Sequence, residues 1–252
     1  MSVKKIKRLY IDLETSPNIV YTWNVGYDLN IGHENIIKER AIICACYKWE
    51  GDSKVHAIKW NNGDDSSLIE QLLWVMLEAD EIVAHNGDRF DIKWFRTRCL
   101  YHGVQTLPEF KTIDTLKISK DKFKFNSNKL DYIAQYLGYG GKIKTDFDLW
   151  KKVLNGDKKS LVEMIEYCKN DIIILEKVYK RLEGYAKHKT HVGVLNGGTK
   201  CDCPMCGSSD THSKGNAASA AGVITKRMVC NECNYYFKVA LTTYNKERLE
   251  TE

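Results

Sequence analysis

The spacing of apolar residues changes period several times along the chain, and each change marks an element. Residues 6–12 (IKRLYID) read as a strand. Residues 41–49 (AIICACYKW) and 54–60 (KVHAIKW) read as two more, expected to pair antiparallel across Glu50-Gly51-Asp52-Ser53. Residues 65–79 switch to helical spacing, with Ser66 or Ser67 able to cap the start. A short buried strand follows at 81–85. Asn86-Gly87-Asp88 then breaks the chain, and a helix is expected over 89–101. Two further helices are expected, at 128–137, stopped by Gly138, and at 158–183. Strands first, then strand–helix alternation, then helices describe an α/β domain with a mixed sheet, closing near Glu183-Gly184.

Beyond that point the texture changes. Residues 185–199 (YAKHKTHVGVLNGGT) read as a linker, 200–241 as a small cysteine module, and 242–252 as a tail. Within the module, 223–229 and 235–239 read as strands entering and leaving a cysteine pair. The chain shows no internal repeat.

Composition narrows the class. A chain of 252 residues holds one medium domain plus a small module, and 43% hydrophobic residues suits a globular protein rather than a disordered one. The net charge of +5 permits a nucleic-acid partner without demanding one. The opening MSVKKIKRLYIDLE lacks the apolar core of a signal peptide, and no stretch approaches a membrane span, so a soluble cytoplasmic protein is expected, with no membrane partner. Of nine cysteines, Cys44, Cys46, Cys99 and Cys168 sit among apolar residues and read as small core side chains. The other five, Cys201, Cys203, Cys206, Cys230 and Cys233, crowd into the last quarter and read as a metal site.

Three segments carry acids in unusual places. A strand alternates its faces, so Asp12 and Glu14 point the same way while Leu13 turns to the core. Two like charges there repel unless a cation lies between them or the strand end is in solvent. Asn86-Gly87-Asp88-Arg89-Phe90-Asp91 opens a helix, where Phe90 can wedge into the core. In isolation its two acids read first as a capping box serving structure alone, Asp88 as cap and Asp91 three residues on. In the third segment Tyr167 and Asp171 are one helical turn apart and share a face. An acid ahead of Ile-Ile-Ile-Leu needs a partner or a metal if buried, and none if it faces water.

Taken in order, these segments resemble the three exonuclease motifs of the DEDD superfamily, the DnaQ-like branch of the RNase H-like fold. Asp12-Leu13-Glu14-Thr15 matches the first, Asn86 through Asp91 the second, and Tyr167 through Asp171 the third. The resemblance covers residues 6–183, and 112–130 is similar to the superfamily's connection into a Lys-Leu-containing helix. One branch carries a His five residues before the last acid, where Glu166 stands here. The other carries a Tyr four residues before it, matched by Tyr167, so the chain resembles the DEDDy type.

The resemblance implies an RNase H-like mixed sheet flanked by helices and a 3′→5′ exonuclease. Such an enzyme would release nucleoside 5′-monophosphates from a single-stranded or frayed DNA end, in replication, proofreading, repair or recombination, in a phage or bacterial setting. It also implies two Mg²⁺ or Mn²⁺ ions. Asp12 would bridge both, Glu14 and Asp171 would complete one, Asp91 would help hold the other, and Tyr167 would orient the attacking water. Thr15, Asn86 and Phe90 would touch the terminal nucleotide. Arg89, Lys93, Arg96 and Lys111 read equally as phosphate contacts or as a solvated face. An RNA 3′-end exonuclease and a nucleic-acid-binding adaptor on an inactive nuclease fold remain alternatives.

The cysteine module reads independently. Cys203-Pro204-Met205-Cys206 and Cys230-Asn231-Glu232-Cys233 are two C-x-x-C knuckles, together the ligands of one structural Zn²⁺, and resemble a zinc ribbon. Cys201 has the poorer spacing, and His188 and His191 read as polar linker residues. Lys226, Arg227 and Lys238 beside Tyr235, Tyr236 and Phe237 read equally as a nucleic-acid grip or as the ribbon's own core and surface; docking to a replication or repair protein is a third use.

Overall fold

The computed structural model describes residues 6–26, 28–105, 109–141, 143 and 145–249. It falls into two compact units, Arg8–Glu183 and one made mainly of the chain from Gly184 onward.

The first unit is built on a five-stranded sheet in the order β5-β4-β1-β6-β7. Its strands are β1 (Arg8–Thr15), β4 (Ile42–Trp49), β5 (His56–Lys59), β6 (Glu81–Ala84) and β7 (Thr112–Asp114). β4 runs antiparallel to β5, as their sequence anticipates, and also to β1, while β1, β6 and β7 are parallel, so the sheet is mixed. A two-stranded ribbon, β2 (Ile19–Val20) with β3 (Ile36–Lys38), lies between β1 and β4 in the chain.

Alternation along β1 decides what each face of the sheet meets. Leu9, Ile11 and Leu13 join Ile42, Ala45 and Ile82 in a core closed by α1 (Ser66–Leu77) and α2 (Asp91–Tyr101). Tyr10 turns to the opposite face, into a second core with Cys44, Cys46 and Val83. That core is roofed by α4 (Leu130–Tyr136), α5 (Phe147–Leu154) and α6 (Lys158–Leu182). By the same period, Asp12 and Glu14 lie on Tyr10's face, beneath α6.

α6 is the long helix its spacing predicts. Asp157 caps it, accepting from the Lys159 amide and the Ser160 hydroxyl. Its buried stripe runs Met164, Cys168, Asp171, Ile172, Leu175, Val178, Tyr179 and Leu182. Each fully buried aliphatic there is worth about 1.5–3 kcal/mol, yet one place in the stripe holds Asp171, only 1% exposed.

Several expected local features differ. The cap position of α1 is Asp65 rather than Ser66 or Ser67; its carboxylate makes no capping bond because it is engaged elsewhere. α2 starts at Asp91, so the capping box does not form: Phe90 sits at the cap position with no side-chain cap bond. Asp88 instead accepts from Thr112 and pairs with Lys117. Phe90 is half-buried and does not enter the core. Residues 112–130 hold β7 and α3 (Thr115–Lys122), which Asp114 caps.

In the second unit, the stretch read as a linker contains a helical turn, α7 (Val192–Leu195), and the stretch read as a tail contains α8 (Leu241–Leu249). A three-stranded sheet, in the order β10-β9-β8, comprises β8 (Thr211–Ala218), β9 (Ile224–Cys230) and β10 (Tyr236–Ala240). Among the described residues, no helix is long and apolar enough to cross a membrane.

Candidate active site

One carboxylate oxygen from each of Asp12, Glu14 and Asp171 lies within 4.8 Å of the others. Two of these acids come from alternate positions of β1 and the third from the buried stripe of α6. Three acids this close, half to fully buried, repel one another once ionised. Their hard oxygen donors suit a divalent cation, which offsets that repulsion. The residues therefore fit a metal.

Asp91 is not one of the three. It is 2% exposed, and its Oδ1 accepts from the Leu13 amide at 3.0 Å. That bond pins the first turn of α2 to β1 between the two acids of the strand.

The turn before α2 is shaped to permit this. Asn86 adopts φ of 67°, and its amide donates to Asp114 Oδ1 at 2.9 Å. A Cβ added to Gly87 would lie 2.4 Å from the Ala84 methyl, so only glycine fits there. Asp114 also accepts from the Leu116 amide. One carboxylate thus ties together the turn that carries Asn86 and the start of α3.

Tyr167 stands one turn before Asp171, its ring edge-on to Trp150 at 6.3 Å between centroids. Trp150 in turn donates from Nε1 to the Thr15 carbonyl, which joins α5 to the end of β1. Tyr167 and Asn86 line a cleft of about 720 Å³ with His85, Lys120, Asn128 and Lys129. His85 braces one wall, its ring nitrogens 2.9 Å from Thr115 Oγ1 and 3.0 Å from the Asn128 carbonyl.

Of the suggested phosphate contacts, Arg89, Lys93 and Lys111 are exposed, whereas the Arg96 guanidinium packs over the Phe110 ring. Thr15 is buried, and its carbonyl is the acceptor for Trp150.

Sequence reasoning missed the thiol floor of this site. Cys46 pairs with Asp12 and Cys44 with Glu14 in the β1–β4 register. Cys168, on α6, donates to the Asp12 carboxylate. Burial, with Cys44, Cys46 and Asp12 adding to it, pushes the Cys168 thiol well up, so it remains a donor. The signal was present: two cysteines at alternate positions of a strand, opposite two acids at alternate positions of its neighbour.

A second acid cluster, Asp64, Asp65 and His102, is structural. Asp65 is fully buried and receives Arg98 through two hydrogen bonds of 2.7 and 2.8 Å, as well as the Ile42 amide at 2.8 Å. Its acceptor sites are taken.

In the other unit, sulfurs of Cys203, Cys206, Cys230 and Cys233 all lie within 4.8 Å of one another. The pairs Cys203–Cys233 and Cys206–Cys230 are 3.6 and 3.5 Å apart. A tetrahedron with metal–sulfur bonds of about 2.3 Å has edges of about 3.8 Å, so the four thiols fit one ion. Cys201 lies outside this group, in the small core with Met228, Phe237 and Val239, its amide donating to Glu247 of α8. His188 meets the Tyr235 hydroxyl, and His191 Nδ1 accepts from the Val194 amide. Lys226 lies over the Tyr244 ring, while Arg227 is exposed. Phe237 is core, and Tyr236 is 67% exposed.

The chain thus has a mixed sheet with helices on both faces, and its first strand and last long helix bring together acids that could hold a divalent metal ion. Residues 30–183 match the model of the RNase_H superfamily, and the chain belongs to that superfamily, whose members are typically metal-dependent nucleases. No curated protein matches the chain. Among solved structures, the family B DNA polymerase of the hyperthermophilic archaeon Pyrobaculum calidifontis is similar, with a TM-score of 0.57 and 16% identity. That match covers 72% of this chain and 25% of the polymerase, so the chain spans only a fraction of the polymerase's length.

Proposed function

We propose that this protein is a DEDDy-type 3′→5′ exonuclease that removes nucleoside 5′-monophosphates from the 3′ end of single-stranded or frayed DNA. The observation that carries this reading is the meeting of Asp12, Glu14 and Asp171 beside a cleft lined by Tyr167. The similarity to a DNA polymerase favours DNA over RNA as the substrate.

In this reading Asp12, Glu14 and Asp171, with Asp91 alongside, hold two Mg²⁺ or Mn²⁺ ions, which supply a nucleophile at neutral pH and neutralise charge on the phosphoryl oxygens. Asp91 keeps β1 in register with α2 through the Leu13 amide. Tyr167, held by Trp150, directs its hydroxyl at the attacking water. Asn86 and the cleft beyond it receive the terminal nucleotide, while Thr15 and Phe90 flank it. The four clustered cysteines hold one Zn²⁺ that folds the smaller module. Exposed Arg227 on β9 offers charge to a nucleic-acid strand; Lys226 does so less, because its ammonium already faces Tyr244.

The test is a single-stranded oligonucleotide incubated with the protein and Mg²⁺, labelled in turn at each end. A 3′ label should leave at once as mononucleotide, and a 5′ label should shorten progressively. Internal cleavage, or no cleavage by wild type beyond that of Asp12→Ala, rejects the reading.

A further inference from the structure

β1 does not end at its acids. It continues through Thr15 into an excursion, residues 16–41, before β4 begins. The root of this excursion is fixed. Ser16 and Ala41 exchange two hydrogen bonds of 2.9 Å, and the Arg40 amide donates to Asn18. The Arg40 guanidinium lies over the Trp94 ring and the Lys38 ammonium over Trp60. Further out, the Tyr21 amide donates to the Asn35 carbonyl, extending the β2–β3 ribbon.

The far end is bare. Tyr21 is 76% exposed, Val25 95%, and Trp23 fully so at 102%. An aromatic side chain can bury about 150–250 Å², and here that area is left in water on a segment whose base is held firmly. Three large apolar residues this exposed within five positions of one segment point to an interaction surface.

Position and chemistry indicate what covers it. Tyr21 follows Glu14 by seven residues, so along the chain it lies at most ~25 Å from the acid cluster. Every base has a π-face, so exposed aromatics grip a single strand without regard to sequence, and nearby cations follow its backbone. Lys38 and Arg40 stand at the root on the returning strand, where Lys38 lies opposite Ile19, a position between Glu14 and Tyr21.

We propose that this excursion is an aromatic arm on which Tyr21 and Trp23 stack unpaired bases of a single-stranded nucleic acid whose 3′ end lies at the carboxylates. The proposal rests on the nuclease reading for its polarity, but its binding test does not need turnover.

The full chain carrying Asp12→Asn is titrated into a fluorescently labelled oligothymidylate of about twelve nucleotides, within the range of single-strand sites. Adding Trp23→Ala or Tyr21→Ala should weaken binding roughly 5- to 150-fold, as about 1–3 kcal/mol per stacked base requires. Trp23→Phe should recover most of the affinity. In the otherwise wild-type chain, hydrolysis of a nitrophenyl ester of thymidine 5′-monophosphate, too short to reach the arm, should be unchanged. Both side chains are exposed, so the fold is expected to survive substitution, with circular dichroism as the check. Unchanged oligonucleotide affinity overturns the proposal. So does a Trp23→Ala variant whose only change is loss of a dimer in sedimentation, which assigns the surface to a second copy of the chain. If wild type cuts nothing while Trp23→Ala still loses binding, the nuclease reading fails and the arm stands.

Discussion

The Cys168 thiol lies 3.4 Å from both the carbonyl oxygen and the Oδ2 of Asp12. A side chain next to Tyr167 in sequence thus fixes the orientation of the first acid, and the two motif-bearing elements, β1 and α6, are coupled through one S–H donor.

Removing that donor should loosen the site. Cys168→Val keeps the volume roughly and loses the hydrogen bond, whereas Cys168→Ser keeps a donor. Partners that orient a ligand typically contribute about 10–100-fold in metal affinity. The Mn²⁺ concentration for half-maximal activity should rise roughly 10-fold for Cys168→Val and much less for Cys168→Ser. Equal values for the two variants would leave Cys168 a packing residue only.

Tyr167→Phe removes a hydroxyl and keeps the ring that meets Trp150. We expect unchanged thermal stability and a fall in kcat of about 10²-fold, within the range for positioned proton-handling groups, with little change in KM. Steady-state kinetics on a 3′-labelled single strand measures both. A rise in KM alone would make Tyr167 a wall of the cleft.

Asp65 links β4, α1 and α2 through Arg98 and the Ile42 amide. Breaking a buried pair on one side costs about 3–5 kcal/mol, and Asp65→Asn should lose that much in denaturant unfolding. Burial alone would raise the Asp65 carboxyl, but the hydrogen bonds from Arg98, the Ile42 amide and His102 hold it below the ordinary 3.8. A depressed acid stabilises the fold in full above its unfolded value and loses that contribution as pH falls through the folded value. The gap between wild type and Asp65→Asn should therefore be flat at neutral pH and narrow only in acid, below 3.8. A gap that instead widens in acid contradicts this assignment.

The cysteines divide cleanly. If the four clustered thiols hold one structural Zn²⁺ as proposed, Cys203→Ser should abolish zinc binding and unfold β8–β10, because such a site supplies the module's folding energy. Cys201→Ser, altering a residue in the small core and not in the sulfur cluster, should keep a full zinc complement at lower thermal stability. Metal analysis with and without a chelator decides it; zinc loss from Cys201→Ser would place that thiol among the ligands.

Much of this was legible in the sequence because it depends on period and spacing. Alternation put Asp12 and Glu14 on one face, and the i, i+4 relation put Tyr167 one turn before Asp171. What escaped is non-local. Asp65 looked like the neighbour of a serine cap, and only the fold brings Arg98 to it from 33 positions away. β8 was invisible because THSKGNAA has no apolar alternation; it forms by pairing with β9 across a bulge. Asp91 was grouped with the other acids by motif, yet its carboxylate is turned to the Leu13 amide, a bond no spacing rule announces.

In the proposed reaction, Asp12, Glu14 and Asp171 hold the cation on which cleavage depends. That dependence is read from Mn²⁺ binding by calorimetry on the full chain after zinc loading, alongside Mg²⁺-dependent release of mononucleotides from a 3′-labelled single strand. Asp171→Asn, which preserves shape in the buried stripe, should lose both the carboxylate-site binding and all but about 10⁻³ of the activity, in keeping with the size of metal-ion effects. An Asp171→Asn protein that binds Mn²⁺ and releases mononucleotides as wild type does would rule out these acids as the site of that cation.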